Sequence, residues 1–252
     1  MPTPRSSGAD GAAGAYTAAR YEGGAVRHAR RHARRLRRDA LALGLAPPEE
    51  DALCAALTEL GREAFGGGAG VVRLALRRDP GGGPRTILAG ETRATGVETR
   101  VWRAIVWPEA HPGAQGAAGA KREGVGIYAR ARAGAQRAGA DDALLATADG
   151  LLVEGARTNV FVALRDALVT PPLRLGAVAG IAREIVLERV AGAREDDVSM
   201  AALAGAQEVV LVNAVRGAVL LERLGDRALG SGGAPRWASR LHALLLSDPA
   251  PA

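Results

Sequence analysis

Gly150-Leu151-Leu152-Val153-Glu154-Gly155, followed two residues later by Thr158-Asn159-Val160-Phe161-Val162, is the stretch from which the fold is read. Leu151 to Glu154 and Asn159 to Leu164 are short apolar runs bounded by Gly and small residues, which predicts two strands joined by a tight turn. Ala167 to Val169 predicts a third. Glu154 closes its strand with a carboxylate. By itself that is either a solvated strand end or a group held for chemistry.

Working outward, the next chemical group upstream is Lys121. It is the one lysine among 33 basic residues; the rest are Arg. Arginine cannot form an imine because its guanidinium stays protonated, whereas a lysine amine can. A helix is predicted from Val125 to Ala138, and a strand from Ala143 to Thr147. Downstream lie Thr170-Pro171-Pro172-Leu173 and Gly176-Ala177-Val178-Ala179-Gly180-Ile181-Ala182-Arg183. Gly180 to Ala191 reads as a helix, and the N–H groups at a helix start bind anions. Strands are expected at Glu208 to Val212 and Ala218 to Leu221, flanking Asn213-Ala214-Val215-Arg216-Gly217. Trp237 to Leu246 predicts a terminal amphipathic helix.

In the first half, Tyr16 to Tyr21 predicts a strand, and His28 to Leu43 a helix dense in arginine. A second helix opens at Pro47-Pro48-Glu49-Glu50-Asp51, with Pro in its first turn and acids at the positive dipole end. Val71 to Leu76, Thr86 to Ala89 and Val101 to Trp107 alternate as strands, with a turn at Asp79 to Pro84. Pro108 to Ala120 is rich in Gly, Ala and Pro and reads as a linker. The expected organisation is a disordered N-terminus over 1–14, an α/β domain over 15–107, a linker over 108–120 and a second domain over 121–252.

Hydrophobic residues make up 48% of the chain but aromatic ones only 3%, so small aliphatic side chains must build the core. A single cysteine, Cys54, excludes an internal disulfide and fits a reducing cytoplasm. No run reaches the roughly 20 apolar residues of a membrane span, and residues 1–14 carry no secretory signal. The formal charge of +6 raises the possibility of nucleic-acid binding. Much of the excess lies between Arg27 and Arg38, however, and aromatic residues to stack on bases are scarce. No metal site is expected.

Lys121, Glu154, the Thr158-Asn159 strand, the Gly180-Ile181-Ala182-Arg183 helix start and the Asn213 turn, in this order and spacing, resemble the class IV pyridoxal-phosphate enzymes. These include branched-chain and D-amino acid aminotransferases and 4-amino-4-deoxychorismate lyases. The resemblance spans residues 14 to 230. It implies an α+β fold like that of D-amino acid aminotransferase, with a smaller N-terminal α/β domain and a larger C-terminal β-barrel-like domain with helices. It further implies pyridoxal 5′-phosphate as cofactor, a small-molecule substrate and a homodimer. Lys121 would carry the cofactor and act as base. Glu154 would face the pyridine nitrogen, with Asn159 as support. Ile181, Ala182, Asn213 and Ala214 would contact the phosphate, along with Arg35 of His32-Ala33-Arg34-Arg35-Leu36, or Arg34 in its place.

Within the family, Thr17-Ala18-Ala19-Arg20, Ala118-Gly119-Ala120-Lys121 and the Asn213 to Gly217 turn are most similar to the lyases. That implies conversion of 4-amino-4-deoxychorismate to 4-aminobenzoate and pyruvate, as in folate synthesis, with Thr17 at the substrate. A class IV transaminase of the branched-chain or D-amino acid type is the alternative. The chain departs from the pattern in two places. It reaches Gly14-Ala15-Tyr16 almost at once, where the resemblance leads one to expect further residues and an initial strand hairpin, and it has Gly124-Val125 where many members carry Asn-Tyr, which removes an expected tyrosine from the cofactor.

Overall fold

The computed structural model describes residues 14–79, 86–94, 99–114, 116–164, 167–230 and 236–247. The expected disorder before Gly14 and most of the turn ending at Pro84 lie outside these residues. The chain opens with β1 (Ala15–Glu22), β2 (Ala25–Val26), α1 (Ala29–Ala42), α2 (Glu50–Phe65), β3 (Ala69–Arg78) and β4 (Thr86–Ala94). The four strands form an antiparallel sheet in the order β2-β1-β3-β4.

Strand periodicity sorts the residues of β1. Ala15, Thr17, Ala19 and Tyr21 are buried on one face beneath α1 and α2, in a core with Leu36, Leu53, Leu57, Val72 and Leu74. Tyr16 and Ala18 lie on the opposite face. At Gly61 of α2 a side chain would overlap the Tyr21 ring, so the glycine lets helix and sheet close up. The α2 helix starts at Glu50, after the Pro pair rather than around it, with Glu50 and Asp51 in its first turn.

The second half contains β5 (Val101–Val106), α3 (Gly126–Arg137), β6 (Asp142–Ala146), β7 (Leu152–Gly155), β8 (Asn159–Leu164) and β9 (Ala167–Thr170). These are followed by α4 (Ile181–Arg189), β10 (Ala193–Glu195), β11 (Glu208–Asn213), β12 (Gly217–Leu224), β13 (Arg227–Ala228) and α5 (Arg236–Leu246). Short 3-10 turns at Leu173–Leu175 and Met200–Gly205 complete it. The sheet runs β10-β9-β8-β11-β12-β5-β6-β7, with β13 on β12. Its middle strands are buried on both faces. Val160 and Val162 of β8 join one core, and Phe161 and Ala163 join another under α4 and α5. That explains why β8 reads as an unbroken apolar run.

One boundary differs from expectation. β5 belongs to the second sheet, running parallel to both β12 and β6. Trp102 and Ala104 are buried in the second core. The chain therefore changes sheets between β4 and β5, ahead of the segment 108–120 that composition marked as the linker. Among the described residues, no helix is long and apolar enough to cross a membrane.

Candidate active site

The site begins on α1. Its buried residues, His32, Ala33, Arg35, Leu36, Asp39 and Ala40, follow the helical repeat. Three of them are polar. The Arg35 guanidinium donates to Thr17 Oγ1 at 2.7 Å, and Thr17 Oγ1 lies 2.6 Å from His32 Nδ1. Burial pushes the His32 imidazole well below its usual pKa, and the Arg35 guanidinium beside it acts in the same direction. Arg35 Nε is buried with no partner. Arg34, by contrast, is exposed and pairs with Glu50 at 3.6 Å.

One turn further along α1, Asp39 Oδ2 accepts the Lys121 backbone N–H at 2.9 Å, while Arg38 binds Oδ1 at 2.8 Å. The Lys121 carbonyl accepts the Tyr16 N–H at 3.0 Å, and Glu123 N donates to Gly14 O at 2.7 Å. The lysine's main chain is thus held on both sides, by β1 and by a helix carboxylate. Its ammonium sits 5.0 Å from the centre of the Tyr16 ring, whose neighbour within 4.4 Å is the Arg73 guanidinium.

Glu154, next to last in β7, is 3% exposed. Its Oε1 accepts the Tyr128 hydroxyl at 2.6 Å. Its Oε2 accepts Asn159 Nδ2 at 3.0 Å and the Val178 backbone N–H at 3.1 Å. Burial pushes this carboxyl up to about 7, opposed by the hydrogen bonds from Tyr128 and Val178 and by the charge of Lys121. Asn159 also donates to Val178 O at 2.9 Å, and a side chain at Gly180 would overlap Asn159 Oδ1. The glycine therefore lets the amide reach the acid.

Arg35, the start of α4 at Ile181 and Ala182, and the turn after β11 meet on the wall of one cavity of about 680 Å³ that also contains Lys121 and Glu154. Asn213 Oδ1 accepts the N–H groups of Val215 and Arg216, at 3.0 and 2.8 Å. The Asn213 side chain therefore staples the turn, and any ligand contact there falls to the backbone around Ala214. Arg31 ties α1 to α4 through Glu184 at 2.5 Å and Glu188 at 2.7 Å. A pyridoxal phosphate fits this donor set. An unpartnered guanidinium nitrogen and a helix start suit the phosphate, and a buried acid and the chain's one lysine line the same cavity.

Thr17 differs from its sequence reading. It is fully buried, on the α1 face of β1, and does not line the cavity. Strand alternation gives the cavity face to Tyr16 and Ala18 instead. The position shortly after the lysine is Gly124-Val125 and carries no tyrosine, but Tyr128, from α3, stands on the cavity wall beside Glu154. Sequence reading missed Tyr128, His111, Asp39 and Tyr16. Asp39 could have been found, because it falls four residues after Arg35 on the buried stripe of α1.

The family model described as amino-transferase class IV matches residues 14–222. No curated protein matches the chain by sequence. Solved structures that resemble it in fold include the following three. One is a Legionella pneumophila protein provisionally assigned as a 4-amino-4-deoxychorismate lyase, with TM-score 0.81 and 21% identity over 92% of this chain and 90% of that one. A branched-chain amino acid aminotransferase from Escherichia coli gives TM-score 0.77 and 20% identity over 91% and 83%. A Brucella abortus aminotransferase bound to pyridoxal phosphate gives TM-score 0.77 and 22% identity over 92% and 87%.

Proposed function

We propose that this chain, which belongs to the class IV aminotransferase family, is a lyase that converts 4-amino-4-deoxychorismate to 4-aminobenzoate and pyruvate. The family uses pyridoxal 5′-phosphate. The observation that carries the substrate reading is the charge of the cavity wall. Beyond the groups assigned to the cofactor it holds Arg73, Arg93, Arg122, Arg132, Arg157 and Arg216 against one acid, Glu91. A wall of that sign favours a substrate with two carboxylates, as 4-amino-4-deoxychorismate has. 2-Oxoglutarate has two as well, so the choice of lyase over transaminase rests on the resemblance to lyases around Lys121 and Asn213. The Thr17 motif no longer supports it through substrate contact.

When bound, the cofactor supplies an electron-withdrawing ring that acidifies the carbon bearing the substrate amine. The protein's residues then divide the work. Lys121 would hold the cofactor, and its amine, once free, would take the proton from that carbon. Glu154 would keep a proton at the pyridine nitrogen by opposing its charge. Arg35, with the backbone at Ile181, Ala182 and Ala214, would hold the phosphate. Asn159 fixes the Glu154 carboxylate. The C–O bond to the enolpyruvyl group breaks as the ring becomes aromatic, and the released enol takes a proton to become pyruvate. The resemblance also points to a homodimer, which sedimentation of the purified protein tests.

The deciding assay supplies aminodeoxychorismate and follows both 4-aminobenzoate and pyruvate. In parallel, an L- or D-amino acid is offered with 2-oxoglutarate. Equimolar 4-aminobenzoate and pyruvate is the expected result. Amino-group transfer to 2-oxoglutarate without 4-aminobenzoate would make the enzyme a transaminase.

A further inference from the structure

We infer that His111, acting through Tyr128, is a positioning residue that sets the polarity of the hydrogen bonds around Glu154 and so keeps the proton on the cofactor's pyridine nitrogen. This rests on the reading of Glu154 given above. The segment carrying His111 is otherwise plain connector. Yet the imidazole is only 7% exposed, and its Nε2 lies 3.1 Å from the Tyr128 hydroxyl. Its ring centre is 5.8 Å from that of Tyr128. His111 is also pinned at the main chain, where its N–H donates to Ala146 O at 2.7 Å.

Glu154 Oε2 faces two N–H groups, from Asn159 and Val178, neither of which can accept. A proton on Glu154 must therefore sit on Oε1, where it faces either the pyridine nitrogen of a bound cofactor or Tyr128. In the first case the Tyr128 hydroxyl still donates to Oε1 and makes that oxygen a weaker base, so the proton is left on the nitrogen. In the second, the Tyr128 oxygen would have to accept the proton and turn its own hydrogen towards His111 Nε2. The backbone N–H of Gly113 opposes this turn. It donates to His111 Nδ1 at 3.2 Å, so the neutral ring carries its hydrogen on Nε2 and donates towards Tyr128. Each donor in the chain, from Gly113 to His111 to Tyr128, then points at Glu154, and the carboxylate form is the one that satisfies all of them.

Burial lowers the His111 pKa, against the Leu175 carbonyl, which favours a protonated ring. A protonated ring would also donate from Nε2. Burial and the Glu154 charge push the Tyr128 hydroxyl up, with Tyr16 acting the same way and Arg122 against it. At Glu154, Lys121 favours the carboxylate and Asp142 opposes it. Two forces thus meet at this acid: burial favours the protonated form, and the directed chain favours the ionised one.

The test is nitrogen NMR of the holoenzyme, loaded with pyridoxal phosphate labelled at its ring nitrogen and titrated with pH. Tyr128→Phe keeps the ring and removes the donor. It should shift the protonation equilibrium of the ring nitrogen about tenfold towards the unprotonated form, the effect of one lost hydrogen bond to a charged group. His111→Leu should shift it in the same direction by less. His111→Gln, which can still donate to Tyr128, should recover most of the change. His111→Leu added to Tyr128→Phe should produce no further shift, because His111 acts through that hydroxyl. Unchanged titration in Tyr128→Phe, or a full His111→Leu shift on top of it, overturns the inference. Failure of the underlying reading looks different: Glu154→Gln itself would leave the ring nitrogen unmoved.

Discussion

The two ends of the cavity are built on opposite plans. Around Glu154 the protein's own groups have already satisfied the acid: three donors reach its two oxygens, and a fourth residue orients one of them. Around Arg35 the protein leaves donors without partners. One guanidinium nitrogen is buried and unsatisfied, and α4 begins on the cavity wall at Ile181 and Ala182, where a helix's first N–H groups have no partner within the helix. A satisfied group is tuned and does not gain much from a new neighbour. An unsatisfied one gains a great deal, because an unpaired buried donor is costly. The acid end should therefore govern rate, and the arginine end affinity. Lys121 lies between them and should govern both.

Lys121→Ala is the largest expected effect. Turnover and the borohydride-reducible adduct should both disappear, since the chain has no second lysine to take over. A surviving adduct, seen by mass spectrometry after reduction, would end the assignment. Glu154→Gln comes next and isolates the acid end. Losing ~3–4 kcal/mol of stabilisation should slow turnover roughly a hundred- to a thousandfold. Cofactor affinity, read by equilibrium dialysis, should stay within a few-fold. If affinity collapses while rate survives, the two ends have been assigned the wrong way round.

Arg35→Ala tests the other end. A lost charge-assisted bond to phosphate, about 1.5–3 kcal/mol, means roughly ten- to a hundredfold weaker cofactor binding, with near-normal turnover at saturating cofactor. Arg34→Ala is the control. Its side chain is exposed and pairs with Glu50, so its effect on affinity should fall within measurement error. Between Arg35→Ala and that control falls Thr17→Val, which keeps the shape and removes the hydroxyl that Arg35 donates to. About 1 kcal/mol, or fivefold in affinity for pyridoxal phosphate, is expected. Thr17→Ser should restore it. Binding of pyridoxal, which has no phosphate, should not change; a matching loss there would mean that Thr17 supports the fold and not the arginine.

The elements of the chain were largely legible because their signals are local. Alternation, turn residues and helix starts bring β8, β11, α1 and α4 within a residue or two of their predicted ends. Two features were not legible, for a shared reason. Whether β5 belongs to the first sheet or the second depends on its partners, β12 and β6, which are distant in sequence. Thr17 looked like a substrate residue because its motif lies beside the cavity, but which face of β1 each side chain takes is settled by the helices that cover it. Tyr128 was missed because a tyrosine was sought next to Lys121, whereas a helix carries one in from further along. The buried polar stripe of α1 could have been read: His32, Arg35 and Asp39 recur at helical spacing among apolar neighbours.

That stripe has a consequence for ligand shape. Arg35 and Asp39 stand four residues apart on one helix, about 6 Å along its axis. Arg35 faces the site's anion end, and Asp39 holds the main chain of Lys121. One turn of α1 thus acts as a ruler between the phosphate position and the amine's root, made of backbone hydrogen bonds that a bound molecule cannot stretch. A cofactor analogue longer by one methylene between ring and phosphate would meet a fixed length, and could seat one end only by lifting the other.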